Sequence, residues 1–298
     1  MSSCFFRLIG ALVLGSGLLW IGPAVAAVVV RDDAGFDVRL ERPARRIVSL
    51  APHTTELLYE IGAGDIVVGA EPYSDYPVAA QRIPRVGGLS GIDVEAIVAL
   101  KPDLVIAWLS GTSKAQIESL VRLHVPVFRS EPHTFDDVTA TLTRFGTLTG
   151  HVDEAQADAA RFRARLATLR ATYAHGAPVR VFYQVWNKPL MTVGGPQLIT
   201  QAIALCGGRN VFDTLKPLAP TVDPEAVITA DPELIVTAST RSDHSADLAQ
   251  WNRWAGVSAV RARRYLFLDP ALITRPTSRI LIGTETLCRA IDDARTAR

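Results

Sequence analysis

The sequence predicts an α/β protein of two similar lobes with mostly parallel sheets, joined by one long helix. Three observations carry that expectation. The stretch Asp93-Val-Glu-Ala-Ile-Val-Ala-Leu-Lys-Pro-Asp-Leu-Val-Ile106 returns without gaps as Asp223-Pro-Glu-Ala-Val-Ile-Thr-Ala-Asp-Pro-Glu-Leu-Ile-Val236. In each copy an acidic first turn opens a short helix, Pro102 or Pro232 stops it, and an apolar run of strand length follows. Between the copies, Asp153 to His175 contains neither proline nor glycine. On both sides of that segment, strand-like and helix-like stretches alternate, the pattern of Rossmann-like lobes with largely parallel sheets. Two such lobes side by side make a cleft, where ligands commonly sit.

Along the chain, the first 26 residues stand apart. Arg7 precedes the apolar run Leu8 to Ile21, and Ala24-Val25-Ala26 is a small-x-small cleavage pattern. This reads as a secretory signal peptide over residues 1–26. The run is too short for a membrane span, which needs roughly 20 apolar residues. Cys4 lies before the run and is not placed to become a lipidated N-terminal cysteine. A soluble, exported mature protein is expected.

An N-terminal lobe over residues 27–150 begins with a hairpin, Val28 to Arg31 and Phe36 to Leu40, around Asp32-Asp33-Ala34-Gly35. The strand Arg46 to Leu50 follows, then a helix through Ile61 that Thr54 or Thr55 is placed to cap. Further strands are expected at Ile66 to Val68, Leu104 to Trp108 and Val125 to Phe128. A connecting helix occupies residues 151–176. At ~1.5 Å per residue it spans roughly 30 Å, enough to run along both lobes. Ala155, Ala159, Phe162, Leu166, Leu169 and Tyr173 form one apolar seam, with Arg161, Arg163, Arg165 and Arg170 largely off it. Such a strut permits only small hinge motion. The C-terminal lobe, 177–298, begins with Val179 to Val185 and has strands at Leu234 to Val236 and Tyr265 to Leu268. Its helices are expected near Gln197 to Leu205 and Ser278 to Asp292.

Charge excludes one class of partner. The chain has 31 Lys and Arg against 30 Asp and Glu, and loss of Arg7 with the leader leaves the two equal. Nothing here attracts nucleic acid. About 270 mature residues suit two domains better than one core. With Cys4 removed, Cys206 and Cys288 remain, an even number in an oxidising compartment, which favours one disulfide over two buried thiols.

Four segments in one order carry a resemblance: Arg46-Ile-Val-Ser-Leu-Ala-Pro-His-Thr-Thr-Glu56, Tyr73-Ser-Asp-Tyr-Pro77, Val94-Glu-Ala-Ile-Val-Ala-Leu-Lys-Pro-Asp103 and Cys206-Gly-Gly-Arg-Asn-Val-Phe212. Over essentially the whole mature chain the sequence resembles cobalamin-type periplasmic binding proteins. The resemblance implies the class III, helical-backbone architecture and a monomer that delivers a ligand to an ATP-driven (ABC) permease dimer in the inner membrane. It implies a corrinoid, cobalamin above all, as bound ligand with no cofactor of the protein's own, and haem or a ferric siderophore as the alternative. Cys206 and Cys288 fall where the cobalamin binders carry their disulfide.

Flat macrocycles are held by aromatic faces. Tyr73 and Trp108 match pocket aromatics of those binders, and Trp186 is a candidate from its place at the end of a strand. All three are alternatively core residues. Leu89, Met191 and Ala219 stand where the cobalamin binders have further aromatics, so a less aromatic pocket is expected, with Leu89 and Met191 in it. His53 follows the first strand, at the carboxyl end of a parallel sheet where ligands bind. It is either an axial ligand to cobalt or iron or simply a hydrogen-bonding loop residue. Arg275 faces either the cleft, pairing with carboxylates, or the surface. Glu95 and Glu225 occupy equal places in the repeated unit. Either each stabilises its helix through the dipole, or, as the resemblance implies, the pair docks against arginines of the two permease subunits.

Two rival classes fit less well. A zinc or manganese carrier needs converging ligands, and the six histidines, at 53, 124, 133, 151, 175 and 244, are scattered without an HxH or HExxH pattern. An exported enzyme handling a metal cofactor remains as a second alternative. The sequence has no GxxxxGK, GxSxG or CxxC, and Gly194-Gly195 and Gly207-Gly208 read as turns.

Overall fold

The computed structural model describes residues 27–88, 91–239 and 248–297. Residues 1–26, expected to be a signal peptide, together with Leu89 and His244, all lie outside the described residues.

The chain opens with an antiparallel hairpin, β1 (Val28–Arg31) and β2 (Asp37–Leu40). Asp32 at its turn is buried and holds the hairpin in two directions, accepting from the Phe36 amide at 2.8 Å and pairing with Arg129 at 2.9 Å. The first sheet comprises β3 (Ile47–Ser49), β4 (Val67–Ala70), β7 (Leu104–Trp108) and β8 (Val127–Ser130) in the order β4-β3-β7-β8, all parallel. The two-residue strands β5 (Gly87–Gly88) and β6 (Gly91–Ile92) form a separate ribbon. Helices α1 (Pro52–Glu60), α2 (Val94–Ala99), α3 (Lys114–Arg122) and α4 (Phe135–Thr149) pack around this sheet.

One local expectation fails here. Thr54 and Thr55 do not cap α1. The cap position is Ala51, with Pro52 following in the first turn, and both threonines lie inside the helix, fully buried. Their hydroxyls turn back instead. Thr54 donates to the Ala51 carbonyl at 2.9 Å, and Thr55 bonds Ser49 and Ser74, each at 2.8 Å. A hydroxyl relay thus ties the end of β3 to the loop after β4. Proline's preset φ and missing N–H make it the natural first-turn residue, which moves the start upstream of the threonines.

The repeated unit is repeated in its bonding as well. Lys101 after α2 and Asp231 after α7 (Pro224–Ala230) both take left-handed backbone, with φ of 47° and 44°. Asp103 then accepts the amides of Arg45 and Arg46 at the start of β3, and Glu233 accepts the amide of Arg180 in β9 (Val179–Trp186). Arg46 reaches back to the Leu100 carbonyl, as Arg180 does to that of Asp231, both at 2.7 Å. In each copy a carboxylate two residues past the turn docks the helix-strand unit to the first strand of its sheet.

The second sheet has the order β10-β9-β12-β13 with β12 (Leu234–Ala238) and β13 (Tyr265–Leu268) parallel to β9. β10 (Met191–Thr192) is antiparallel and β11 (Gly208–Asn210) parallel at opposite ends of β9's other edge. Helices α6 (Leu198–Leu205), α8 (Ser258–Arg261), α9 (Pro270–Ile273) and α10 (Ile280–Thr296) complete this part. Cys206 and Cys288 are bonded and fully buried, joining the end of α6 to α10. Closing a loop of 82 residues contributes roughly 4 kcal/mol in the chain-entropy model.

Between the sheets runs α5 (Val152–Tyr173). Ala155, Ala159, Phe162, Leu166 and Leu169 are buried along it as the seam requires, and Tyr173 packs half-buried against the same cluster. The seam also carries an unforeseen member, Asp158, buried and ion-paired with Arg161. α5 packs on α4 at one end and on α6 and α10 at the other. One apolar cluster consequently runs from Ile47 and Ile106 through Phe162 and Leu166 to Val181 and Val236. One packed interior thus joins the strut to both sheets.

Candidate functional site

Between the lobes lies a cavity of about 390 Å³. Its first-lobe wall is built at the carboxyl ends of parallel strands, as open α/β sheets dictate. Pro52 and His53 follow β3, Trp108 ends β7 and Ser110 follows it, and Glu131 and His133 follow β8. The second lobe contributes Gln197 and Leu198 at the start of α6, Leu218, and Ile273 to Pro276 at the end of α9. A second hollow of about 360 Å³ adjoins it and shares Pro52 and Trp108, with Tyr73, Glu71, Ile92 and Gln116 on its far side.

The structure brings four of the predicted residues to this place. Trp108 stands between the two hollows and is 40% exposed, and Tyr73 on the loop after β4 is 66% exposed, so neither belongs to a lobe core. His53 is buried at the cavity wall, and its ring meets Trp108 edge-on with centroids 5.9 Å apart. Burial, reinforced by the Arg275 charge, lowers its pKa to about 3, so the imidazole is neutral at any ordinary pH. Its Nε2 is enclosed and has no hydrogen-bond partner.

Arg275 does face the cleft, and its donors are turned to protein. One nitrogen bonds Glu56 at 2.7 Å and Asp75 at 2.6 Å, and another reaches the Tyr73 carbonyl at 3.4 Å. Arg279 adds a contact to Glu56 at 3.3 Å and lies over the Tyr76 ring, 3.7 Å from its centre. Glu56, Asp75 and Tyr76 belong to the first lobe and the arginines to the second, so this is a clasp across the cleft. Hydrogen bonding from Arg275 holds the Asp75 carboxyl below its usual pKa.

Other predicted residues lie elsewhere. Trp186 is 62% exposed at the end of β9, its indole donating to the Lys188 carbonyl, and it lines neither hollow. Met191, paired with Trp186 across β10 and β9, lines neither as well. Glu95 and Glu225 are exposed in the first turns of α2 and α7. Glu56, Asp75, Glu131, His133 and Arg279 also belong to this region, and no sequence motif marks them for that role. Glu56 and Asp75 sit inside motifs already singled out and Arg279 in the helix expected from Ser278 to Asp292, whereas Glu131 and His133 lie in a segment with no signal of its own. Among the described residues, no group of three or more His, Cys, Asp or Glu converges to hold a metal.

Comparison with known proteins agrees with this architecture. The periplasmic binding protein family profile matches residues 47–272. A vitamin B12-binding protein of Yersinia pestis (strain Pestoides F) is 36% identical over 246 residues, covering 83% of this chain and 86% of that protein. The crystal structure of a periplasmic vitamin B12 binding protein of Vibrio cholerae superposes with a TM-score of 0.76 at 35% identity, covering 85% of this chain and 98% of that one. A periplasmic haem-binding protein in complex with two haems shares the fold, with a TM-score of 0.75 at 23% identity over 84% of this chain and 98% of its own. With the profile spanning both lobes and the strut between them, the chain belongs to the periplasmic binding protein family.

Proposed function

We propose that this chain captures a corrinoid, cobalamin or a close relative, in the cleft between its lobes and hands it to an ABC permease dimer in the inner membrane. Like its relatives it is a periplasmic binding component and performs no chemistry of its own. The observation that carries the ligand reading is the pair of hollows on either side of Trp108, with Tyr73 exposed at the far wall. Two exposed aromatic faces offer a flat macrocycle large rigid area at low entropic cost. The identity to vitamin B12-binding relatives points the same way. His53, buried and edge-on to Trp108, serves as part of the wall. Arg275 shapes the cleft floor through its clasp.

Calorimetric titration with cyanocobalamin, hemin and a ferric siderophore tests the reading. Tight binding of cyanocobalamin alone is expected, with no turnover of any of the three. The variant Tyr73→Ala/Trp108→Ala should lose binding by a hundredfold or more, since aromatic anchors of this kind carry about 2 kcal/mol each or more. Preference for hemin or the siderophore, or an unchanged double variant, overturns it.

A further inference from the structure

Trp108 separates the two hollows, so the tilt of its indole decides how much room each half of the cleft offers. Three contacts set that tilt. His53 meets the ring edge-on at an interplanar angle of 83°. Gly111 lies directly against it, and a Cβ at Gly111 would stand 2.0 Å from Trp108 Cε3. The third contact is Glu131, just beyond β8. Its Oε1 accepts from the indole Nε1 at 3.3 Å and from the Ser110 hydroxyl at 3.0 Å, and its Oε2 accepts from the Ser110 amide at 2.7 Å. One carboxylate therefore grips both the ring and the turn on which the ring rests.

Glu131 is anchored from behind. Its own amide donates to Asp33 at 2.6 Å, and Asp33 pairs with Arg144 of α4 at 2.7 Å. The line of contacts runs from the N-terminal hairpin through β8 to the indole. Bonds to a carboxylate are about twice as strong as neutral ones. A half-exposed tryptophan at the end of a strand would otherwise sample several rotamers and lose that freedom on binding.

We propose that Glu131 is a positioning residue of the cleft: it holds the Trp108 indole in the orientation the ligand meets and governs affinity through that ring. The proposal rests on Trp108 being a ligand wall. Glu131 also borders the cavity, so its test separates action through the ring from direct contact with the ligand.

The first measurement needs no ligand. In 15N-labelled protein the Trp108 indole N–H resonance is identified by its disappearance in Trp108→Phe. In Glu131→Ala it should move upfield and exchange faster with solvent. In Glu131→Gln, which keeps one acceptor oxygen but cannot accept from both the indole and the Ser110 amide with equal strength, it should lie between. An unmoved resonance in Glu131→Ala overturns the proposal whatever the protein binds. The second measurement is cyanocobalamin affinity in a double-mutant cycle. Glu131→Ala should weaken binding about tenfold in the parent protein and less than threefold in Trp108→Phe, which keeps an aromatic face but has no N–H to hold. Equal losses in the two backgrounds assign Glu131 to the ligand itself and overturn the proposal. If the parent protein does not bind cyanocobalamin, the functional reading fails, and the resonance in Glu131→Ala decides the positioning role by itself.

Discussion

At His53 the fold holds neutral an imidazole that the unfolded chain would protonate below pH 6.5. The folded pKa of about 3 lies below the unfolded value, so between these limits the unfolded state binds more protons. Stability from this residue is complete above pH 6.5 and is lost as pH falls toward 3. By pH 5 the loss amounts to about 2 kcal/mol. Urea melts at pH 7.5 and pH 5 check this: His53→Gln should lose about 2 kcal/mol less than the parent over the interval. Equal losses would remove His53 from the acid sensitivity.

Helix packing carries the next test. Glycine inside a helix is ordinarily worth replacing, since alanine gains up to about 1 kcal/mol. Gly146 in α4 reverses the sign. A Cβ there would stand 2.5 Å from the Ala155 Cβ of α5 and 2.9 Å from the His151 carbonyl, so the two helices must separate. Gly146→Ala is therefore expected to destabilise by about 1–3 kcal/mol, the usual cost of overpacking. Chemical denaturation measures it, and a stabilised variant would mean that α4 and α5 are not so closely packed. The contact matters beyond stability because α5 inherits its setting against the first lobe from α4.

For the whole molecule the clasp and the docking carboxylates make separate claims. Glu56 is buried with a side chain only 3% exposed, and both its cationic partners come from the other lobe. Removing one leaves the other. Removing both, in Arg275→Ala/Arg279→Ala, strands a buried carboxylate and should cost about 3–5 kcal/mol. Adding Glu56→Leu to that pair should recover most of the loss, and a failure to recover would show that the arginines act elsewhere. Glu95 and Glu225 lie exposed on equivalent helices of the two repeats. Two like carboxylates suit an acceptor made of two like subunits. Glu95→Ala/Glu225→Ala should leave ligand affinity unchanged and abolish uptake in vesicles containing the reconstituted permease, and surviving uptake would overturn the docking role.

What could be read from the sequence was what is local. The repeated helix-proline-strand unit, the apolar seam of α5 and the strand-end positions of His53, Tyr73 and Trp108 depend on periodicity and on stop signals within a few residues. The pairing of Cys206 with Cys288 needed only composition and compartment. Thr54 and Thr55 show the limit even at short range, because a threonine ahead of an apolar run fits a cap equally well as a buried hydroxyl, and the choice fell to Ser49 and Ser74. Trp186 ends a strand just as Trp108 does. Only the tertiary structure shows that its indole bonds the Lys188 carbonyl and lines neither hollow. Glu131 meets Trp108 across 23 residues and Arg275 meets Glu56 across 219. Neither pairing has a periodic signal. The tertiary structure alone decided them, because an ion pair or a side-chain hydrogen bond between distant segments exists only once the packed core has brought its two ends together.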